Sequence, residues 1–344
     1  GKLANGAAVN RAFGDGETYV GFIFAFQALP TIIFVSSFFT VLYYFGILQR
    51  VVEAMARLTT WLMKCSGAES LAAAANVFVG QTEAPLVVLP YVGAMTRSEL
   101  LCLMLCGMSN VAGGVMAVYA IFGVEPGHLL ASSMMSMPAG LMISKIMLPE
   151  LGQPKTTGVV KIKLDIPDVN ALDAATRGAS DGLKLALNVG AMLIAFIALV
   201  TMINFLFGKV HTGFGFIPGI SWFPSSLEQV LSWVFAPLAW AMGAVPADIH
   251  ALGRLFGEKW VFTELYAYLD LCNNYLVKLH PHSAILAIYG LCGFANFASI
   301  AIQIGGIGAL VPERRHDLAE LGMKSMIGGS IATFMTATLA GILL

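Results

Sequence analysis

Charge is what this chain has least of. Lys, Arg, Asp and Glu make up 11% of its 344 residues, against roughly 25% in an ordinary soluble domain. With 58% hydrophobic residues, that excludes a conventional soluble fold and describes a protein that crosses a membrane several times. The formal net charge is −1 and no basic stripe occurs, so nucleic acid is not an expected partner. Cysteine is also scarce. There are five, an odd number, mostly in apolar segments. Cys102 and Cys106 fall one helical turn apart and read as small packing residues. No His/Cys spacing suits zinc, so neither a disulfide framework nor a metal cofactor is expected. Glycine is plentiful: 36 residues, above the usual ~7%, which fits close helix packing and interrupted helices. The chain opens at Gly1 without Met or a signal-peptide pattern, and an upstream segment outside this numbering is expected.

A spanning helix needs about 20 largely apolar residues. Stretches 20–48, 98–122, 127–148, 182–207 and 283–310 qualify. A sixth, 316–343, starts polar at Arg314, Arg315 and His316 and turns apolar after Lys324. Residues 50–64 and 225–242 read instead as amphipathic helices lying in the interface. Residues 69–92 and 246–272 each suggest two short helices around a break, the signature of a re-entrant hairpin. The first break is expected at Val79-Gly80-Gln81 and the second at Gly257-Glu258-Lys259-Trp260.

Two units emerge with the same order: span, amphipathic helix, hairpin, span, span. Each crosses three times, so the second is inverted relative to the first, a recurrent plan of secondary transporters. Short strings support the pairing. Thr82-Glu83 matches Thr263-Glu264, and Gly107-Met108-Ser109-Asn110-Val111-Ala112 matches Gly293-Phe294-Ala295-Asn296-Phe297-Ala298. The basic residues Arg50, Arg57, Lys64, Arg97, Lys145, Lys155, Lys161, Lys163, Arg177, Lys184, Arg314 and Arg315 all fall on one side of this topology, which is expected to be cytoplasmic. Fewer fall on the other: Lys209, Arg254, Lys259, Lys278 and the N-terminal Lys2 and Arg11.

A carboxylate inside a membrane segment costs about 2.5–3.5 kcal/mol on insertion scales and is a functional candidate by default. Glu83 and Glu264 are two such residues in matching places. Thr82 is placed to cap a new half-helix, with Glu83 at its positive end and Pro85 in its first turn. The competing reading is an ordinary helix cap at an interface. Asn110 and Asn296 fall mid-span among small residues, where unwinding would free carbonyls to bind a cation or substrate. Their alternative use is an interhelical hydrogen bond. Phe294, beside Asn296, is either packing or a stacking surface for a flat ring. A pocket of two carboxylates, Gln81, Thr82, two Asn, Ser299 and an aromatic face, without Arg or Lys, does not suit an anion. A neutral, hydroxyl-rich, ring-bearing solute fits, since carboxylates accept hydrogen bonds from hydroxyls and ring N–H groups.

Asn76-Val77-Phe78-Val79-Gly80-Gln81-Thr82-Glu83-Ala84-Pro85-Leu86 resembles the signature of the concentrative nucleoside transporter family. So do Gly293-Phe294-Ala295-Asn296-Phe297-Ala298-Ser299-Ile300, Phe24-Ala25-Phe26 with Leu29-Pro30, and Val41-Leu42-Tyr43-Tyr44. The resemblance covers about 14–343. It implies an all-α polytopic fold of inverted repeats, with two re-entrant hairpins, two broken transmembrane helices, a trimerising scaffold and a transport domain that moves as an elevator. On that basis 1–19 is an N-terminal segment, 20–48 a scaffold helix and 49–66 an interfacial helix. Residues 67–148 are the first part of the transport domain, 149–181 a cytoplasmic linker and 182–207 a scaffold helix. An external loop and interfacial helix fill 208–243, and 244–344 completes the transport domain.

The resemblance also implies roles. Gln81, Thr82 and Glu83 face the nucleobase, Val115 and Phe294 pack on it, and Glu264, Asn296 and Ser299 hold the ribose. Sodium would take the carbonyls of Asn76, Val79 and Val111 and the side chain at 110. The family usually has Ser or Thr at that position and Asn110 departs from it, which leaves proton coupling as the alternative. The implied protein is a bacterial inner-membrane homotrimer, not an enzyme, that imports a uridine-like nucleoside with sodium and has no other cofactor. An intramembrane protease or lipid-modifying enzyme lacks an acidic dyad on two spanning helices. A proton or ion channel would use Glu83 and Glu264 as a relay. Purine or pyrimidine preference and ion stoichiometry are not read from the sequence.

Overall fold

The computed structural model describes residues 24–156, 168–214 and 224–344. The expected N-terminal segment 1–19, the middle of the linker and part of the external loop lie outside them. Among the described residues every regular element is helical. Three helical stretches among the described residues are long and apolar enough to cross a membrane, Arg97–Phe122, Pro126–Met147 and Pro312–Leu343, and the bent pair Pro30–Tyr44 with Ile47–Met63 makes a fourth if it is one span.

Helix α1 (Phe24–Tyr44) meets α2 (Ile47–Met63) at a 77° bend. Gly46 makes the corner with φ 71°, a left-handed conformation that glycine adopts without strain. Past the bend, Leu48, Val52, Ala56 and Thr59 form the buried stripe of α2, while Trp61 and Leu62 stay exposed. This is the expected amphipathic helix. Two Ser/Thr-x-x-Glu capping boxes then start α3 (Gly67–Ala75) and α6 (Arg97–Ser109). Their acids, Glu69 and Glu99, satisfy the N–H groups of Ser66 and Thr96 at 3.0 and 2.9 Å. Glu69 also pairs with Lys145 of α8 (Pro126–Met147), which explains a carboxylate buried deep in the fold.

Between α3 and α6 the chain runs through an irregular turn at 76–83 and two single-turn helices, α4 (Ala84–Val87) and α5 (Leu89–Val92). Thr82 does not cap α4, contrary to expectation. Glu83 holds the N-cap position with no side-chain cap bond, and the turn is closed by the N–H groups of Glu83 and Ala84 on the Gly80 carbonyl, at 3.1 and 3.0 Å. The span after it breaks at Asn110, where the backbone is extended, and resumes as α7 (Gly113–Phe122).

The second unit repeats the plan. Helix α9 (Ala171–Phe214) is 44 residues long and extends well beyond the expected 182–207, because Asp173, Thr176 and Arg177 continue the helix into polar sequence. Asp168, just before it, is gripped by Arg177 through two bonds of 2.7 and 2.6 Å, which hold its carboxyl below the usual range. Then come α10 (Leu227–Ala241), α11 (Ile249–Val261), α12 (Glu264–Asp270), α13 (Pro281–Leu291), α14 (Phe297–Leu310) and α15 (Arg315–Leu343). In the segment expected to form the second hairpin, the break falls at Phe262-Thr263 and not at 257–260. Gly257, expected to open the break, is helical because α10 lies against it: a Cβ there would stand 3.1 Å from Leu231 Cγ. Lys259 is fully buried and not a flanking loop charge. In the core, α15 packs on α6, α8 and α13, and α10 packs on α11.

Helices α1 and α9 pair closely through small residues. Ser37 Oγ donates to the Ala175 carbonyl at 2.8 Å. A Cβ at Gly182 would stand 2.8 Å from Ile33 Cα and 3.2 Å from the Ile32 carbonyl. Gly182→Leu should therefore push two backbones apart and cost about 1–3 kcal/mol. Thermal unfolding in detergent checks this, and an unchanged midpoint would mean that α1 and α9 do not need this contact.

Candidate functional site

The two breaks meet. The Phe294 N–H donates to the Asn110 carbonyl at 3.2 Å, and the Gly113 N–H donates to Phe78 O at 3.0 Å. The first ties the break between α13 and α14 to the break between α6 and α7. The second fixes the start of α7 to the turn of the first hairpin. Thr263 caps α12 by accepting from Tyr266 N, and Asn296 caps α14 by accepting from Ser299 N at 2.8 Å. Two helices of the second unit thus begin beside the breaks with capped N-termini.

Between them lies a cavity of about 420 Å³. Gln81, Thr82, Glu83, Val115, Glu264, Phe294, Asn296 and Ser299 all line it, so every substrate residue expected from the sequence comes to one place. Glu83 is exposed to it. A Cβ at Gly80 would run into the Glu83 carboxylate, so the bare glycine leaves that side chain its room. Among the described residues no Lys or Arg is on the lining.

The polar groups are held in a chain of contacts. Asn296 Nδ2 donates to Glu264 Oε2 at 2.8 Å, and Tyr119 Oη donates to Glu264 Oε1 at 3.1 Å. The Tyr119 ring stacks on Tyr268 with centroids 4.1 Å apart. Gln81 Nε2 donates to Ser299 Oγ at 3.0 Å, while Gln303 Nε2 donates to Gln81 Oε1 at 3.1 Å. Glu264 is 5% exposed. A carboxylate has about four acceptor sites, so with one donor on each oxygen it retains acceptor capacity toward the cavity.

Sequence reasoning missed several contributors, among them Ile302 on the lining and Gln303 behind Gln81. Leu185, Asn188 and Ala191 place α9 against the cavity, and Tyr119 positions Glu264 from behind. Asn188 carried a usable signal, a lone amide in an apolar run, the same signal that marked Asn110 and Asn296. Tyr119 carried none, because only the fold brings it to Glu264.

The expected sodium set lies beside the cavity and does not line it. Asn76 and Asn110 are 1% exposed and Val111 is fully buried. The Asn76 carboxamide oxygen is buried without a hydrogen-bond partner, the kind of orphaned oxygen a cation satisfies. Asn110 is already engaged: Ser133 Oγ donates to its Oδ1 at 3.1 Å, and its Nδ2 donates to the Cys106 carbonyl at 3.3 Å.

A family profile described as "Na+ dependent nucleoside transporter C-terminus" matches residues 128–341, and one described as "Nucleoside recognition" matches 25–126. The chain belongs to the sodium-dependent, concentrative nucleoside transporter family. It is a multi-pass membrane protein of a family of transporters, not of enzymes. It is 42% identical to an uncharacterized transporter of Haemophilus influenzae, over 99% of this chain and 86% of that one. It is 35% identical to sodium/nucleoside cotransporter 1 of Rattus norvegicus, over 96% of this chain and 53% of the relative. Its fold matches CNTnw, solved in an inward-facing substrate-bound state, with a TM-score of 0.88 and 39% identity over 99% of this chain and 80% of that one. Variants of CNTnw have also been solved in outward-facing and intermediate states.

Proposed function

We propose that the protein is a symporter that imports a uridine-like nucleoside down a sodium gradient across a bacterial inner membrane. The observation that carries the reading is the cavity between the two breaks, lined by Glu83 and Glu264 and, among the described residues, by no cationic side chain. A neutral ring with hydroxyls matches that lining; an anion does not. In this reading Gln81, Thr82 and Glu83 face the base, and Val115 and Phe294 pack on its ring. Glu264, Asn296 and Ser299 hold the ribose. Sodium binds beside the first hairpin at the carbonyls of Asn76, Val79 and Val111, with the Asn110 amide oxygen and the orphaned Asn76 oxygen at hand.

The transport step is an elevator. Helices α1 and α9 form the scaffold of a homotrimer. The two hairpins (67–92 and 246–275), the two broken spans and the helices α8 and α15 move together as the transport domain. Two features support this division. The small-residue seam joins α1 to α9, and α9 contributes only one side of the cavity. The outward-facing, intermediate and inward-facing states solved for CNTnw and its variants fit a cycle of this kind.

Purified protein in liposomes is expected to accumulate labelled uridine when sodium is high outside, and to stop when the gradient is collapsed. Proton and sodium gradients imposed separately decide the coupling ion. Accumulation on a proton gradient alone would replace sodium in this reading, and indifference to both would remove the symport claim.

A further inference from the structure

One amide on the cavity has no assigned role. Asn188, on α9, lines it together with Leu185 and Ala191. Positions 185, 188 and 191 fall on one side of a helix, so a single face of α9 looks onto the cavity. Its other two residues are apolar. An Asn in an apolar helix is ordinarily explained by a hydrogen bond to a neighbouring helix. That explanation does not hold for Asn188, which is exposed and makes no hydrogen bond among the described residues. The other two amides of the lining are engaged at both ends. Gln81 donates to Ser299 Oγ at 3.0 Å and accepts from Gln303 Nε2 at 3.1 Å. Asn296 donates to Glu264 Oε2 at 2.8 Å and accepts from Ser299 N at 2.8 Å. Of the lining amides, Asn188 alone keeps both its N–H₂ and its carbonyl uncommitted.

Its neighbours place it at the ring end of the pocket. Leu185 and Ala186, on the preceding turn of α9, pack in the same apolar cluster as Val115 and Phe294, the two residues proposed to hold the ring. A nucleoside that fills the cavity strips water from Asn188. An amide left unpaired by that step would weaken binding by roughly tenfold, so the substrate must offer it a partner. The edge of a nucleobase carries a donor beside an acceptor. A carboxamide meets such an edge with two bonds, as Asn and Gln do when they read adenine. Glu83 and Glu264 cannot do the same, because an ionised carboxylate only accepts.

We propose that Asn188 is a substrate-binding residue that pairs with the hydrogen-bonding edge of the base. With a uracil ring its N–H₂ donates to a ring carbonyl and its own carbonyl accepts from the adjacent ring N–H. No protein bond fixes which way the amide faces, so it can turn over to meet an amino group beside a ring nitrogen. Asn188 thus selects for a base edge with a donor next to an acceptor, in either order. The inference deepens the nucleoside reading above and rests on it.

The test measures binding of uridine, 2-thiouridine and 4-thiouridine to the purified full chain in sodium. Asn188→Ala leaves space at the position and Asn188→Leu keeps its volume, so either folded variant decides. Both should lose roughly tenfold in uridine affinity, with the wild-type unfolding midpoint, since Asn188 has no protein partner to lose. Sulfur is a weaker acceptor than oxygen. The wild type should therefore bind one of the two thio analogues more weakly than uridine, and the variants should lose little or nothing further with that analogue. This non-additivity marks a direct contact and identifies the carbonyl that Asn188 meets. Uridine affinity unchanged in the variants would overturn the proposal. So would an equal loss with all three ligands, which a merely structural role would produce. A wild type that binds no nucleoside would sink the nucleoside reading itself, whereas wild-type binding with unaffected variants would sink this inference alone.

Discussion

Glu264→Gln is expected to cut uridine uptake by about one to two orders of magnitude while the protein stays folded. Two donors already meet this carboxylate, Tyr119 at 3.1 Å and Asn296 at 2.8 Å. An amide of the same shape can accept from only one of them and must point its N–H₂ group at the other. The substrate would also exchange a charged acceptor for a neutral one. Hydrogen bonds to charged groups are worth about 1.5–3 kcal/mol, and each 1.4 kcal/mol is a factor of ten in affinity. Uptake kinetics alone would not separate this loss from a folding defect, so thermal unfolding belongs beside them. If Glu264 merely offsets the dipole of α12, the unfolding midpoint should fall and the apparent KM should stay near wild type. If it holds ribose hydroxyls, the apparent KM should rise with little change in the midpoint. Normal uptake would remove Glu264 from the site.

How much of this was readable in the chain depends on how local the physics is. The cavity residues were readable because they break rules of their neighbourhood: carboxylates and amides in apolar runs cost free energy, and the cost marks them. The break at Asn110 was readable from small residues around an amide. The break at Phe262-Thr263 was not. Gly257, Glu258 and Lys259 look like a loop in sequence, yet contacts within α11 and beyond it hold all three in the helix. Gly257 gives Leu231 room, Glu258 is paired with Arg254, and Lys259 reaches Gly290 and Thr333. The same blindness affected Thr82. Its spacing to Pro85 suits a cap, but the turn at 80–83 is closed by backbone bonds to Gly80, and these leave the hydroxyl with no capping role. Asn188 and Tyr119 joined the site from elements that no local pattern links to it.

The largest stability effect is expected at Arg254. On α11 its guanidinium holds two acids at once: Nε meets Glu258 Oε1 at 2.8 Å, and a terminal nitrogen meets Asp270 Oδ2 at 3.3 Å. Glu258 is 0% exposed and Asp270 is 8% exposed. Asp270 also accepts from Asn274 Nδ2 at 2.6 Å, at the far end of the hairpin. Removing one partner of a buried pair leaves the other charge stranded, which costs about 3–5 kcal/mol. Arg254 is itself 31% exposed, so water will relieve part of that cost, and Arg254→Met should fall at the lower end of the range. The unfolding midpoint should drop clearly, and adding Asp270→Asn to Arg254→Met should recover part of the loss, because the charge stranded on α12 is then gone. An Arg254→Met protein with the wild-type midpoint would show that water already carries these carboxylates. The recovery matters more than the loss. A side chain that contributed only packing could not be compensated by neutralising its neighbour. Recovery would therefore show that α11 and α12 are joined by charge, across the break that carries Thr263 and Glu264.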